Sequence, residues 1–134
     1  MRKVFVDSNV ILDVLLLNDG FWQDSYNIFK LAELGQIKAF VSASSMTDVF
    51  YISKKRLSLL VARQAMADLL KLFEVVSVDG EDLNRALTMP IADFEDALQA
   101  RCAEKANADV LITRDVAGFA GIDIGVTTPA DFEP

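Results

Sequence analysis

Apolar residues fall in short blocks separated by polar punctuation, and the blocks alternate in period. Lys3–Val6 is an apolar run with one leading charge, the pattern of a short strand buried on both faces. Residues 8–17 carry apolar positions on nearly every turn and predict a short helix, followed by an Asp19-Gly20 turn. Residues 22–34 show a helical stripe of Trp22, Tyr26, Phe29 and Ala32, with Gly35 placed to end it. Lys38–Ser42 predicts a second strand. Ser44-Ser45 opens a helix to about Lys55, with Met46, Val49, Phe50 and Ile52 facing inward. Ser58 caps a further helix to about Leu72, with Leu59, Leu60, Ala62, Ala65, Met66, Leu69 and Leu70 inside.

Phe73–Val78 predicts the third strand. A short helix from Glu81 to Leu87 ends before Met89-Pro90, where proline stops it. Asp93 opens a helix to about Lys105, Asp109–Thr113 is the fourth strand, 116–120 a helical turn and Ile122–Val126 a fifth strand. Strands separated by helices predict an α/β domain: a mainly parallel sheet of four or five strands, helices on both faces, in three α/β/α layers. Residues 1–134 read as one domain with no repeat or linker.

Composition narrows the chemistry. The chain has no histidine and one cysteine, Cys102, so imidazole bases, imidazole zinc sites and Cys-x-x-Cys motifs are excluded. Cys102 sits in a helical pattern and reads as a small core residue. No apolar run approaches the ~20 residues of a membrane span. Asp7 and Asp13 interrupt the one stretch that follows Arg2-Lys3, so a cytoplasmic protein without a signal peptide is expected. The net charge of −7 argues against a broad nucleic-acid surface, although a carboxylate cluster that holds cations also counts as negative.

The acids beside strand ends are therefore the candidate chemistry. Asp7 directly follows strand one, Asp48 lies in the first turn of the helix after strand two, and Asp115 follows strand four. Asp93 and Asp96 open the helix before strand four. Each has a structural reading: Asp7 as a helix cap, Ser45-x-x-Asp48 and Asp93-x-x-Asp96 as capping boxes, Asp115 as an Asx turn. In a parallel sheet the strand carboxyl ends share one edge, where ligands bind, and Asp7, Asp48 and Asp115 all lie there. Spacing leaves open whether Asp96 reaches that edge. If the four converge, they suit a hard divalent ion, Mg²⁺ or Mn²⁺, and metal-assisted phosphodiester hydrolysis.

The sequence resembles the PIN-domain ribonucleases, in particular the VapC-like toxins of type II toxin–antitoxin pairs. The matching pieces are VFVDSNVILDVLL (4–16), VSASSMTDVFYISKK (41–55), DFEDALQARCAEKANADVLITRD (93–115) and TTPADF (127–132). They occur in the family's order and span nearly the whole chain. The resemblance implies the same three-layer fold and a metal pocket of Asp7, Asp48, Asp96 and Asp115. It further implies that Asn9 and Thr113 flank that pocket and that Asp93 supports it. Two departures stand out: Asp48 where many members have Glu, and Gly118 where an acid often precedes the phenylalanine. The resemblance also implies an RNA substrate, a small antitoxin partner and a homodimer. Lys54, Lys55, Arg56 and Arg114 are candidate phosphate contacts, or else a helix-terminus complement and a surface arginine. Trp22, Tyr26, Phe29 and the Phe50-Tyr51 pair are candidate partner contacts, or else core. Two other classes remain open: a haloacid-dehalogenase-like phosphatase or receiver domain, suggested by Asp7-x-Asn9, and a non-catalytic binding module in which the acids are only caps.

Overall fold

The computed structural model describes all 134 residues. Along the chain they form β1 (Arg2–Val6), α1 (Ser8–Leu15), α2 (Trp22–Glu33), β2 (Ile37–Ser42), α3 (Ala43–Arg56), α4 (Leu59–Leu72), β3 (Glu74–Val76), α5 (Gly80–Ala86), α6 (Phe94–Lys105), β4 (Val110–Ile112), a 3-10 turn (Val116–Phe119) and β5 (Gly125–Thr127). The strands make one parallel sheet in the order β3-β2-β1-β4-β5. This is the three-layer arrangement expected from the alternation of periods.

The sheet divides the interior into two cores. Val4, Val6, Ile37, Ala39, Val41, Val110 and Ile112 face α1 to α4. Phe5, Phe40 and Leu111, pointing the other way, meet α5, α6 and Phe119. Both faces of β1 and β4 are thus sealed, which accounts for their unbroken apolar sequence. Burial of each such aliphatic side chain is worth about 1.5–3 kcal/mol. The central strands are accordingly rigid supports for whatever follows them.

Strand order places β1 between β2 and β4, so residues just past these three strands are neighbours. The ladder continues beyond β1: the Asp7 amide donates to the Ile112 carbonyl at 3.0 Å. The Thr113 amide likewise donates to the Thr127 carbonyl at 3.0 Å. α6 is buried nearly all round, through Ala97, Leu98, Gln99, Ala100, Cys102 and Ala103. Its small side chains let the helix lie close on the sheet. Burial pushes the Cys102 thiol up to about 11, leaving it an unreactive core group.

Several inward assignments are corrected. On α2 the buried side is Ser25, Ile28 and Phe29, while Tyr26 is exposed and Trp22 half-buried. Ile52 is exposed on α3, and Ser53 takes the buried position one residue on. On α4 only Ala62 and Leu69 are fully buried; Leu59, Val61 and Leu70 are exposed and Leu60 is 80% exposed. Ala62, Ala65, Met66, Leu69 and Leu72 recur at helical spacing on the inner side, while Leu59, Leu60, Val61 and Leu70 stand outside among Arg63, Gln64, Asp68 and Lys71, so apolar character alone does not mark a position as inward. Met46, Phe50, Tyr51, Met66, Leu70 and Val75 line an apolar groove of about 370 Å³ between α3, α4 and edge strand β3.

α5 is fastened to α6 by a buried acid. Asp82 accepts from Lys105 Nζ (2.7 Å) and Arg101 Nε (2.9 Å), and forms a capping box with Asp79. The Lys105 ammonium, then the Asp79 amide and Arg101, hold the Asp82 carboxyl well below the usual carboxylate range. A depressed acid stabilises the fold above its unfolded-state pKa of about 4 and loses that contribution as pH falls through the folded value. Asp82→Asn should lower Tm at pH 7 by on the order of 5 °C, measured by circular dichroism. The gap between variant and parent should narrow on acidification below about pH 4.

Candidate active site

Asp7 lies where β1 turns into α1. Its backbone is extended, as the last ladder residue requires, and its side chain caps the helix through the Ser8 amide at 2.8 Å. The structural reading of Asp7 is therefore true, but it accounts for only part of the contacts. Oδ1 also accepts from Gln99 Nε2 at 3.0 Å, and Oδ2 accepts from Thr113 Oγ1 at 2.8 Å. Three donors from three elements fix one buried carboxylate, far more than a cap requires.

Those donors are themselves held. Gln99 Oε1 accepts from Ser42 Oγ at 2.6 Å, and Ser42 caps α3 through the Ser45 amide. Thr113 Oγ1 accepts from the Asp115 amide at 3.1 Å and faces Asn9 Nδ2 at 3.4 Å. Asn9 Oδ1 in turn faces the Arg114 amide at 3.4 Å. One network thus joins the ends of β1, β2 and β4 to α6. Gln99 and Ser42 escaped the sequence reading. The available signal was Gln99, an uncharged polar residue flanked by Ala97, Leu98 and Ala100 on a helix that also carries Cys102 and Ala103.

Asp7, Asp48 and Asp96 line one cavity of about 380 Å³, together with Ser44, Ser45 and Glu95. The start of α6 therefore does reach the carboxyl edge of the sheet, which resolves the open question about Asp96. Asp93 caps α6 through the Asp96 amide at 2.9 Å, leaving the Asp96 carboxylate turned to the cavity. The Ser45-x-x-Asp48 box does not form. Ser42 is the cap, so Asp48 stands in the second turn of α3, exposed on the cavity wall.

Asp115 approaches from the far side. Its Oδ1 accepts from the Gly118 amide at 3.2 Å, making it the cap of the 3-10 turn. A Cβ placed on Gly118 would lie 2.6 Å from Asp115 Oδ2 and 3.4 Å from Asp96 Oδ2. The two carboxylates face one gap that any side chain at 118 would fill. Partial burial, and then the charges of Asp7, Asp93, Asp115 and Glu95, push the Asp96 carboxyl up to about 6. Several acids thus press on one volume.

The donor set is all oxygen, which suits a hard divalent cation. As the side chains stand, no three acids close on a single point; Asp7, Asp48, Glu95 and Asp96 line the cavity, and Asp115 lies near Asp96 beside Gly118. The gap beside Gly118, faced by Asp96 and Asp115, is where a cation would be received.

The candidate phosphate contacts are distributed differently. Lys54, Lys55 and Arg56 are exposed in the last turn of α3, about 9–12 Å along the helix from Asp48. Arg114 is not a free surface arginine. Its Nε sits 2.8 Å from Oδ2 of the fully buried Asp13, and its guanidinium covers the Phe21 ring at 4.3 Å.

The sequence matches the family described as PIN domain over residues 3–117. It is 25% identical over 139 aligned positions to Ribonuclease VapC1 of Aquifex aeolicus, covering 98% of this chain and 93% of that one. The fold is similar to VapBC2 of Rickettsia felis, solved bound to a promoter DNA fragment (TM-score 0.70, 15% identity, 95% of this chain and 98% of that one). It is also similar to Mycobacterium tuberculosis VapC20, described as a Sarcin-Ricin loop cleaving toxin (TM-score 0.68, 15% identity, 89% and 98%).

Proposed function

The chain belongs to the PIN-domain family, and from that premise we propose that it is a metal-dependent endoribonuclease, the toxin of a toxin–antitoxin pair. The carrying observation is the Asp7 carboxylate, fixed by Ser8, Gln99 and Thr113 at the wall of a cavity that Asp48 and Asp96 share. An acid needed only to cap α1 would have no use for the Gln99 and Thr113 contacts.

Asp7, Asp96 and Asp115 would hold the ion, with Asp48, one methylene shorter than Glu, on the wall of the same cavity. When bound, Mg²⁺ or Mn²⁺ supplies Lewis-acid stabilisation of phosphate charge and a more acidic water. The chain's own residues set the geometry. Gln99 and Thr113 keep both oxygens of Asp7 in fixed directions, leaving its free lone pairs to the cavity. Asp93 fixes the first turn of α6 and so the reach of Asp96. Asn9 and Thr113 tie the 113–115 backbone to α1, which aims Asp115. Lys54, Lys55 and Arg56 meet phosphates some distance from the scissile one, giving weak, selective RNA contact with salt dependence.

The purified chain, free of any partner, should cleave RNA in Mn²⁺ or Mg²⁺ and not in EDTA, and Asp7→Asn should be folded and inactive. Cleavage unchanged in EDTA, or retained by Asp7→Asn, would overturn the reading. Gly118→Ala should reduce cleavage by roughly ten- to a hundredfold with little change in Tm, because the new methyl displaces the Asp115 carboxylate. The partner is a small antitoxin protein, and the apolar α3–α4 groove is suited to receive it. A second copy of the chain completes a homodimer. A monomer on a sizing column at micromolar concentration would count against the dimer.

A further inference from the structure

A second cavity, of about 210 Å³, opens on the same sheet edge beside Arg114, the sequence neighbour of Asp115. Phe21, Asp24 and Ser25 from the start of α2 form one wall, and Thr128-Pro129 after β5 the other. Ser25 is fully buried, yet its Oγ has no hydrogen-bond partner. A buried hydroxyl left unpaired costs about 1–3 kcal/mol, and Ser25 lines this cavity, so a ligand atom that reached Oγ would remove that cost.

The charges say what kind of ligand. Arg114 is neutralised by Asp13, and Asp24 adds a carboxylate, so the cavity repels a phosphate. The Phe21 ring with the guanidinium over it, and the Pro129 ring, offer flat apolar surface. A neutral planar group with N–H donors fits this combination. We infer that the cavity seats one unpaired nucleobase of the RNA next to the scissile phosphate, a base carrying an exocyclic amino group. Asp24 accepts the amino hydrogen and Ser25 Oγ pairs with a ring heteroatom. The inference rests on the nuclease reading above for its RNA substrate, but the pocket has its own readout.

Cytosine presents an amino donor where uracil presents a carbonyl acceptor, so a carboxylate separates the two. Asparagine offers both a donor and an acceptor and would not. In short single-stranded RNAs varied at each nucleotide flanking the cut, one position should favour cytosine over uracil by about tenfold in kcat/KM. Asp24→Asn, an exposed change outside the acidic cavity, should bring that ratio near one by lowering kcat/KM on the cytosine substrate towards that on uracil. An unchanged ratio in Asp24→Asn, or no discriminating position, overturns the proposal. As a check independent of cleavage, the nucleoside cytidine should shift the Phe21 and Ser25 amide resonances of the metal-free chain more than uridine does. Ser25→Val should abolish the shifts. Equal or absent shifts overturn the pocket whether or not RNA is cut. Loss of cleavage in the parent chain with these shifts intact would fail the nuclease reading alone.

Discussion

Asp96→Asn should lower metal-dependent RNA cleavage by at least about a thousandfold and, at the same time, make the metal-free fold more stable at pH 7.5. Both effects come from the same charge. Partial burial and the acids around it raise the Asp96 carboxyl to about 6. A raised acid is without penalty below its unfolded-state pKa near 4, and its ionisation costs progressively more as pH rises through 6. Two units correspond to roughly 3 kcal/mol before screening, and for a group this open to water about 1 kcal/mol is expected. The variant should thus gain about 1 kcal/mol over the parent in EDTA at pH 7.5 and almost nothing at pH 4. Urea denaturation at the two pH values reads this directly. A variant that is inactive and also less stable at pH 7.5 would point to a structural Asp96.

Arg114→Met should cost about 3 kcal/mol of stability, the largest single loss outside the apolar cores. Asp13 is fully buried in α1, and its neighbours in contact are Arg114 Nε at 2.8 Å and Asn18 Nδ2, also at 2.8 Å. The Arg114 contact to Oδ2 is a charge pair and not an aligned hydrogen bond. Removing the guanidinium strands a carboxylate in the interior. It also frees the Phe21 ring and loosens the tie between α1 and the 113–115 segment. The double variant Asp13→Asn/Arg114→Met should recover most of the loss, because the stranded charge is gone. Denaturation of the two single variants and the double one gives the coupling energy. A near-zero coupling would mean that Arg114 is the solvated surface residue its sequence suggested.

The sequence carried the fold through its change of period: short apolar runs at 3–6, 38–42 and 109–113 separated by helical stripes. It also carried the idea of an acidic edge, since Asp7, Asp48 and Asp115 each follow a strand. Four things were hidden for physical reasons. The reach of Asp96 depends on where the 87–93 segment returns the chain, and no local pattern encodes that path. The cap of α3 is Ser42, the last residue of β2, because a strand residue with extended backbone can serve as the cap of the helix that follows. The outward face of α4 is as leucine-rich as its inner one, so leucine content alone did not tell which of its leucines are buried. The pairing of Arg114 with Asp13 spans about a hundred residues, and long-range ion pairs leave no periodic trace.

The central claim is that Asp7, Asp96 and Asp115, with Asp48, hold a divalent ion. Calorimetric titration of Mn²⁺ into the purified chain at pH 6 tests it most directly. The account predicts one saturable site that releases about half a proton as Asp96 loses its share, and no site in Asp7→Asn at unchanged fold. Binding of equal strength in the parent and in Asp7→Asn, or none in either, would contradict it.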